Sequence, residues 1–331
     1  MNRFNFELEK VIQEIKQKQA KKVLLQFPEG IKLEASSIVK KLESETACEC
    51  IVSGETCWGG CDIDINEAKS VKADLIVHFG HAPFIKINFP ILYVPLYDSK
   101  NLIPLIKKSL KSIEKFKNIG LISSIQHMDQ IEKIKQYFED KGKIIKIPSA
   151  KGYAHLSGHV IGCEFSGIKS IKKNIDAVIV LGNQFHGLGA ALAVTDKPVL
   201  LIDTYNNDII SMDEQRNKFI KQRGASIERI KRSKKIGIIV GLKPGQQFGL
   251  PNVIKKGLEK IGKQVSIITM REMTPEKIYN FYDIEGFVEL ACPRIALDDY
   301  GKYNKPIITF KEAMVVIGKK KWVNLLDSGF L

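Results

Sequence analysis

Three of the six cysteines lie in short runs rich in glycine or proline, where a thiol can come close to a ligand. Cys61 follows two glycines, Cys163 follows Gly162, and Cys292 precedes Pro293. They are separated by about one domain length, roughly 100 residues. Three thiolates can hold three irons of a cubane and leave the fourth iron open, or hold zinc with one open position. The pattern therefore predicts a metal site assembled from three distant loops; the competing interpretation is three small buried residues.

The other three cysteines are weaker candidates for metal ligands. Cys48 and Cys50 share one face at the entry to a strand, which favours a role in packing. Cys57 and Cys61 form part of the local three-cysteine motif that ordinary radical S-adenosylmethionine enzymes use, but Asp64 stands where the third cysteine belongs. This loop alone therefore cannot hold a cluster.

Three short apolar runs, each of which follows one or two lysines, indicate three copies of one opening strand. These runs are residues 23–27, 119–123 and 236–240. A helical pattern and three further strand patterns follow each copy, and apolar strands that alternate with helices indicate parallel sheets covered on both faces. We therefore predict an α/β fold of three similar parallel-sheet domains around a pseudo-threefold centre. The predicted domains are residues 1–99, 100–206 and 207–331.

The composition is that of an ordinary globular protein, with 331 residues, 44% of them apolar, and a net charge of +14. Residues 1–18 form a charged amphipathic pattern without an apolar signal segment, and the longest uncharged stretch, 177–195, is interrupted by polar residues and glycines. We therefore expect no membrane span and a cytoplasmic protein whose cysteines stay reduced. The positive charge suits an acidic macromolecular partner, but without a nucleic-acid-binding motif we expect no direct nucleic-acid contact.

Six motifs occur in order along nearly the whole chain. They are Phe-Pro-Glu-Gly at 27–30, Gly-Gly-Cys-Asp at 59–62, His-Phe-Gly-His at 78–81, Val-Ile-Gly-Cys at 160–163, Lys-Pro-Gly-Gln at 243–246 and Cys-Pro-Arg-Ile-Ala at 292–296. Together they resemble the archaeal diphthamide synthases, the 2-(3-amino-3-carboxypropyl)histidine synthases. The most specific piece is the run at 291–299.

The resemblance implies that Cys61, Cys163 and Cys292 bind a [4Fe-4S] cluster. In that family an electron from the cluster breaks the bond from sulfur to Cγ of S-adenosylmethionine. The 3-amino-3-carboxypropyl group is then added to C2 of a histidine of translation elongation factor 2, in the first step of diphthamide biosynthesis. The resemblance also implies a homodimer and an electron donor that the sequence does not identify.

Loop residues beyond the strand ends are candidates for contacts to these substrates, because ligands of open parallel sheets bind there. His81 and His186 are the catalytic candidates, for substrate contact or proton transfer. The candidates for binding S-adenosylmethionine are Glu29, Gly245, Gln246 and Arg294. The competing interpretations are hydrogen-bonded loop histidines, a simple turn, the start of a helix and an internal salt bridge.

Two other functions stay open at this point. A quinolinate synthase-like enzyme similarly sets three α/β domains around a three-cysteine cluster, but uses the open iron for dehydration. A non-catalytic ribosome- or nucleic-acid-associated protein would hold a structural zinc, which prefers four ligands with short paired spacings. The cysteines lack those spacings, and the motifs favour the transferase.

Overall fold

A computed structural model of the chain describes residues 3–331 and contains three β-sheets with helices packed against them. The predicted α/β class with three parallel-sheet repeats is confirmed. The chain divides into two compact units, of which the N-terminal unit holds the first sheet and the C-terminal unit holds the other two. The N-terminal unit comprises the chain up to Asn101, Ile125–Asp129 and Lys243–Gly245, and the C-terminal unit comprises Leu102–Ser124, Gln130–Leu242 and Gln246–Leu331. The domain boundaries at residues 99 and 206 stay predictions.

The sheet of the N-terminal unit is parallel throughout, with the strand order β2-β1-β3-β4. Its strands are β1 (Lys22–Gln26), β2 (Glu49–Val52), β3 (Leu75–Phe79) and β4 (Ile91–Val94), and its helices are α1 (Leu8–Gln17), α2 (Ala35–Thr46) and α3 (Ile65–Ser70). The central strands β1 and β3 are buried almost throughout, which explains their nearly continuous apolar sequence. Phe27 and Phe79 stack where these strands end, with ring centroids 4.7 Å apart.

The second sheet repeats this order and adds one strand at its edge, giving β6-β5-β7-β8-β9. Its strands are β5 (Asn118–Ser123), β6 (Ile144–Lys146), β7 (Ala177–Gly182), β8 (Val199–Asp203) and β9 (Asp208–Ser211), and the helices are α4 (Ile103–Ser109), α5 (Ile131–Glu139), α6 (Ser166–Ile171) and α7 (Gln184–Ala193). The sequence pattern does not predict β9, which pairs antiparallel with β8. Asp203 holds the turn between them by accepting hydrogen bonds from the N–H groups of Tyr205 and Asn206. The second sheet therefore extends beyond residue 206.

The third sheet is parallel and has the order β11-β10-β12-β13. Its strands are β10 (Lys235–Gly241), β11 (Gln264–Met270), β12 (Gly286–Glu289) and β13 (Ile307–Thr309), and the remaining helices are α8 (Asp213–Arg232), α9 (Pro251–Lys260), α10 (Pro275–Tyr279), α11 (Pro293–Asp298), α12 (Phe310–Val316) and α13 (Trp322–Ser328).

In each sheet the first strand lies between the second and the third, so the connections leaving the first and third strands diverge. Such a switch point opens a crevice at the carboxyl ends of these two strands. Residues that follow them include Glu29, His81, His186, Gly245 and Cys292.

A buried ion pair joins two helices of the C-terminal unit. Arg223 of α8 and Glu312 of α12 are fully buried, with Nε–Oε1 and Nη2–Oε2 distances of 2.7 and 2.8 Å. The guanidinium also donates to the backbone carbonyls of Ala296 and Ile307. Ala296 belongs to α11, which begins directly after Cys292. The ion pair therefore anchors the helix next to a predicted metal ligand.

The amphipathic helix predicted over residues 1–18 is present from Leu8 to Gln17 as α1, with Val11 and Ile15 buried and Glu9 and Lys16 exposed, whereas residues 3–7 are not helical. Residues 1 and 2 of that prediction lie outside the described residues. Across residues 3–331, no helix combines the length and the apolar character needed to cross a bilayer.

Replacing Glu312 by leucine is expected to lower the free energy of unfolding by about 3–5 kcal/mol, because the Arg223 guanidinium would stay buried without its counter-charge. Urea denaturation followed by circular dichroism measures this change. The matched control is Glu214→Leu, which breaks an exposed pair with Lys218 on α8 and is expected to leave stability almost unchanged. Equal losses in the two variants would contradict the role of the buried pair.

Candidate active site

Cys61 lies in the loop between β2 and α3, and polar contacts hold this loop. The N–H of Asp62 donates to the carbonyl of Gly59 at 2.9 Å, which closes a turn around Cys61. The Asp62 carboxylate accepts a hydrogen bond from the Lys243 ammonium at 2.6 Å, and these side chains are 3% and 4% exposed. Breaking such a pair would leave an uncompensated buried charge. The residue after Cys61 is therefore fixed to the segment that follows β10.

The segment Lys243–Gly245 also contacts Cys61 directly. The N–H of Gly245 donates to the carbonyl of Cys61 at 2.9 Å. A Cβ atom at position 245 would lie 2.5 Å from Cα and 2.6 Å from Cβ of Cys61, closer than real Cβ atoms come to their neighbours. This close approach requires glycine. Gly245 is thus placed against a predicted metal ligand, and its contact to S-adenosylmethionine stays a prediction.

A hydrogen-bonded chain of one glutamine and two histidines lies next to the Cys61 loop. Gln26 Nε2 donates to the Asp62 carbonyl at 2.8 Å, and Gln26 Oε1 lies 3.0 Å from His78 Nδ1. His78 Nε2 lies 2.9 Å from His81 Nδ1. Gln26 and His78 are buried, and burial together with the nearby His81 holds the pKa of His78 well below its usual value. Gln26 therefore positions the predicted catalytic residue His81 through His78. Gln26 is not part of any of the six motifs.

Cys57 completes a compact group with the two histidines. Its Sγ and one nitrogen from each of His78 and His81 lie within 4.8 Å of one another. Burial and the nearby Asp62 carboxylate raise the pKa of the Cys57 thiol to about 12. The thiol is therefore protonated at neutral pH, and a metal would have to displace this proton to bind the thiolate.

Cys163 occupies a tight turn in the C-terminal unit. The N–H of Glu164 donates to the carbonyl of Ile161 at 2.8 Å, so that Gly162 and Cys163 are the two central residues of the turn. The Glu164 carboxylate in turn accepts a hydrogen bond from the N–H of Ser166 at 2.6 Å. Hydrogen bonds on both sides therefore hold Cys163 in place.

Cys292 lies where β12 gives way to α11. The buried Glu289 side chain accepts a hydrogen bond from the N–H of Ala291 at 3.1 Å. Burial raises the pKa of Glu289 well above its usual value, which favours the uncharged acid beside the cysteine loop. Cys292 follows a third strand whereas Cys61 and Cys163 follow second strands, as predicted.

Arg294 links the two cysteine loops of the C-terminal unit. Its Nη1 donates to the carbonyl of Gly162, the residue before Cys163, at 3.1 Å, and its Nη2 donates to the carbonyl of Phe185 at 2.7 Å. Its Nε donates to Asp298 at 2.6 Å, and the guanidinium stacks on the Phe185 ring at 3.9 Å. The side chain is 5% exposed. These contacts match the competing interpretation of an internal salt bridge, and the S-adenosylmethionine contact of Arg294 stays a prediction.

The other predicted site residues have these surroundings. Glu29 is 54% exposed and forms an ion pair with Lys32 at 2.8 Å. Gln246 is buried after β10. His186 lies in the first turn of α7, with its Nδ1 2.8 Å from the side-chain oxygen of Asn183. Their roles in binding or catalysis stay predictions.

All six cysteines lie within the described residues, none of them is in a disulfide, and Cys61, Cys163 and Cys292 are half-buried.

A family model described as a putative diphthamide synthesis protein matches residues 27–325 of this chain. The chain belongs to this family. The resemblance that the six motifs indicate is therefore confirmed.

Named members of the family extend over most of this chain. A 2-(3-amino-3-carboxypropyl)histidine synthase from Pyrococcus horikoshii is 33% identical over 94% of this chain and 90% of its own length. Subunit 1 of the synthase from Kluyveromyces lactis is 30% identical over 97% of this chain and 77% of its own length. A crystal structure of Dph2 from Pyrococcus horikoshii with a 4Fe-4S cluster superimposes with a TM-score of 0.87 at 30% identity, covering 96% of this chain and 92% of that chain.

The Gly245→Ala variant is expected to unfold about 1–3 kcal/mol more easily, because the added methyl group overlaps Cys61 and must displace it. Alkylation of Cys61, followed by mass spectrometry, should also change in rate as the loop shifts. The matched control is Gly54→Ala in the same loop, where an added Cβ meets no atom within 4 Å. A Gly245→Ala protein that equals the control in both measurements would contradict the contact.

Proposed function

We propose that this protein is a 2-(3-amino-3-carboxypropyl)histidine synthase. It transfers the 3-amino-3-carboxypropyl group of S-adenosylmethionine to C2 of a histidine of translation elongation factor 2, the first step of diphthamide biosynthesis. The observation that carries the proposal is the similarity to a named synthase over 94% of the chain. The relatives described above are named for this transfer, which favours it over dehydration and over a structural zinc protein.

The proposed cofactor is a [4Fe-4S] cluster with Cys61, Cys163 and Cys292 as its ligands. The donor set fits, because all three are half-buried thiols outside any disulfide, on loops that follow strands. Three thiolates leave one iron of a cubane for a further ligand. Cys50 does not belong to this set, because it lies near the amino end of β2, whereas the loop of Cys61 follows the carboxyl end of the same strand. When bound and reduced, the cluster supplies the electron that breaks the sulfur–Cγ bond of S-adenosylmethionine.

The protein's own part is to hold the ligand loops in place. In the N-terminal unit, the N–H of Gly245 and the Asp62–Lys243 pair fix the loop of Cys61. In the C-terminal unit, Arg294, two residues after Cys292, donates a hydrogen bond to the carbonyl of Gly162, the residue before Cys163, and so links the two loops. Groups that orient metal ligands in this way raise metal affinity, because little rearrangement is needed on binding.

The proposal extends to contacts and partners. S-adenosylmethionine is bound with the help of Glu29, Gly245, Gln246 and Arg294, and His186 and His81 contact the substrates. The partners are elongation factor 2 as protein substrate, a second copy of the chain and a one-electron donor. The net charge of +14 supports an acidic macromolecular partner. The reduced thiols support a cytoplasmic location, where cysteines stay reduced.

Anaerobic reconstitution with iron and sulfide, followed by reduction in the presence of S-adenosylmethionine, is expected to release methylthioadenosine. With elongation factor 2 present, mass spectrometry should show the added group on one histidine. Cys292→Ala, Cys163→Ala and Cys61→Ala should lose both the iron and the product, because each removes one of three ligands. Cys48→Ala is the control and should retain both.

The outcomes separate the two parts of this proposal. Formation of 5′-deoxyadenosine alone would reject the proposed bond cleavage while leaving the ligands intact. Equal iron content in Cys292→Ala and Cys48→Ala would reject the ligand set.

The Arg294→Lys variant is expected to retain iron about 10- to 100-fold less tightly, because lysine keeps the charge but cannot reach both carbonyls and Asp298 at once. Iron release to a chelator over time measures retention, and the electron paramagnetic resonance spectrum of the reduced cluster reports its geometry. Arg216→Lys, which alters a similar arginine contact at the start of α8, is the control. Identical release rates in the two variants would show that Arg294 does not position the cluster ligands.

A further inference from the structure

The hydroxyl group of Tyr93 is buried in the N-terminal unit without a hydrogen-bond partner among residues 3–331. Tyr93 lies on the edge strand β4, in register with His78 of β3, and the centroids of the two rings are 5.4 Å apart. The side chain as a whole is half-buried, but its oxygen is inaccessible to solvent. A buried hydroxyl is costly unless another group accepts its hydrogen. The hydroxyl therefore points to an acceptor that the protein binds.

The contacts of the Tyr93 hydroxyl place it beside the loop of Cys61. The backbone N–H of Phe84 lies near this hydroxyl. Phe84 in turn packs against Gly60, the residue before Cys61, since a Cβ atom added at Gly60 would lie 3.2 Å from Cβ of Phe84. Burial and the nearby Cys61 thiol raise the pKa of Tyr93 to about 12. The hydroxyl and the proposed metal ligand are therefore neighbours.

The chemistry of these neighbours determines which of them can take the hydrogen. The backbone N–H of Phe84 can donate but cannot accept. A phenol is protonated at neutral pH even with its ordinary pKa of about 10, so Tyr93 is a donor. The sulfur of a thiol is a weak acceptor, whereas a thiolate carries negative charge and accepts a stronger hydrogen bond. Cys61 becomes such an acceptor when it gives up its proton to bind metal.

We propose that Tyr93 donates a hydrogen bond to the sulfur of Cys61 when this residue is a cluster ligand, and that this bond raises the reduction potential of the cluster. The proposal rests on the proposed function only as far as Cys61 is a ligand. Reduction adds negative charge that is shared by the sulfur atoms, so a hydrogen bond to one of them stabilises the reduced form more than the oxidised form. Tyr93 therefore helps the protein to accept the electron that the proposed reaction needs.

The Tyr93→Phe variant removes the hydroxyl and keeps the ring. In the reconstituted full-length variant we expect iron to be retained, and the equilibrium constant for one-electron reduction to fall about tenfold, the value of one hydrogen bond, which is a shift of about 59 mV to lower potential. Anaerobic titration with dithionite, followed by electron paramagnetic resonance, measures the potential. The matched control is Tyr97→Phe in the same unit, where the side chain lies near Glu7 and Asp129. Equal potentials in the two variants would overturn the proposal.

Two further measurements separate this hydrogen bond from a purely structural role. In heavy water, pulsed electron paramagnetic resonance of the reduced unaltered protein should detect an exchangeable deuteron that Tyr93→Phe lacks, and identical spectra would contradict the bond. In the cluster-free protein, Tyr93→Phe should not lower the urea midpoint of unfolding, because the hydroxyl has no partner to lose. A lower midpoint would show that the hydroxyl is bonded within the protein and would overturn the proposal.

These outcomes are distinct from those that test the proposed function. A cluster that assembles with the same potential in the unaltered protein and in Tyr93→Phe rejects the role of Tyr93 and leaves the transferase intact. A Tyr93→Phe variant with an unchanged potential and a higher KM for S-adenosylmethionine also rejects it, since the hydroxyl would then bind the substrate. An unaltered protein that assembles no cluster would overturn both proposals.

Discussion

The three proposed ligand thiols lie on irregular backbone, and irregular backbone must find its hydrogen bonds outside helices and sheets. The loops of Cys61 and Cys163 each receive a long-range polar contact. The Cys61 carbonyl receives the N–H of Gly245, and the Gly162 carbonyl beside Cys163 receives Arg294. A core of apolar side chains cannot supply such directional contacts, so the geometry of the thiols depends on a few buried polar groups.

Buried polar groups of this kind are costly unless each is paired or neutral. Lys243 faces Asp62, Arg294 faces Asp298, and the buried Glu289 favours its uncharged form. A substitution that removes one partner therefore costs more than the lost contact, because the remaining group stays buried without compensation. The loops are consequently sensitive to single changes, whereas the apolar strands beneath them tolerate volume-conserving substitutions.

The repeats and the cysteine loops follow from the sequence, because apolar strand patterns and glycine-rich turns are local signals. The strands β1, β5 and β10 lie within one residue of their predicted positions. The antiparallel strand β9 escapes prediction, because its four residues give little pattern and its turn depends on Asp203. Long-range pairs such as Lys243 with Asp62 also escape, since residues 181 positions apart meet only through the tertiary fold. Both residues belong to the six motifs, so the sequence identifies them as residues of the functional loops. It does not predict that they form a pair.

Pairing and neutrality also determine what each loop can keep buried. Asp62 pairs with Lys243 in the N-terminal unit, Arg294 pairs with Asp298 in the C-terminal unit, and burial favours the uncharged ring of His78. Each pair of opposite charges leaves little net charge in its own loop, so the loop can exclude water without an uncompensated buried charge. The contacts that hold the loops are therefore also the ones that allow them to stay buried.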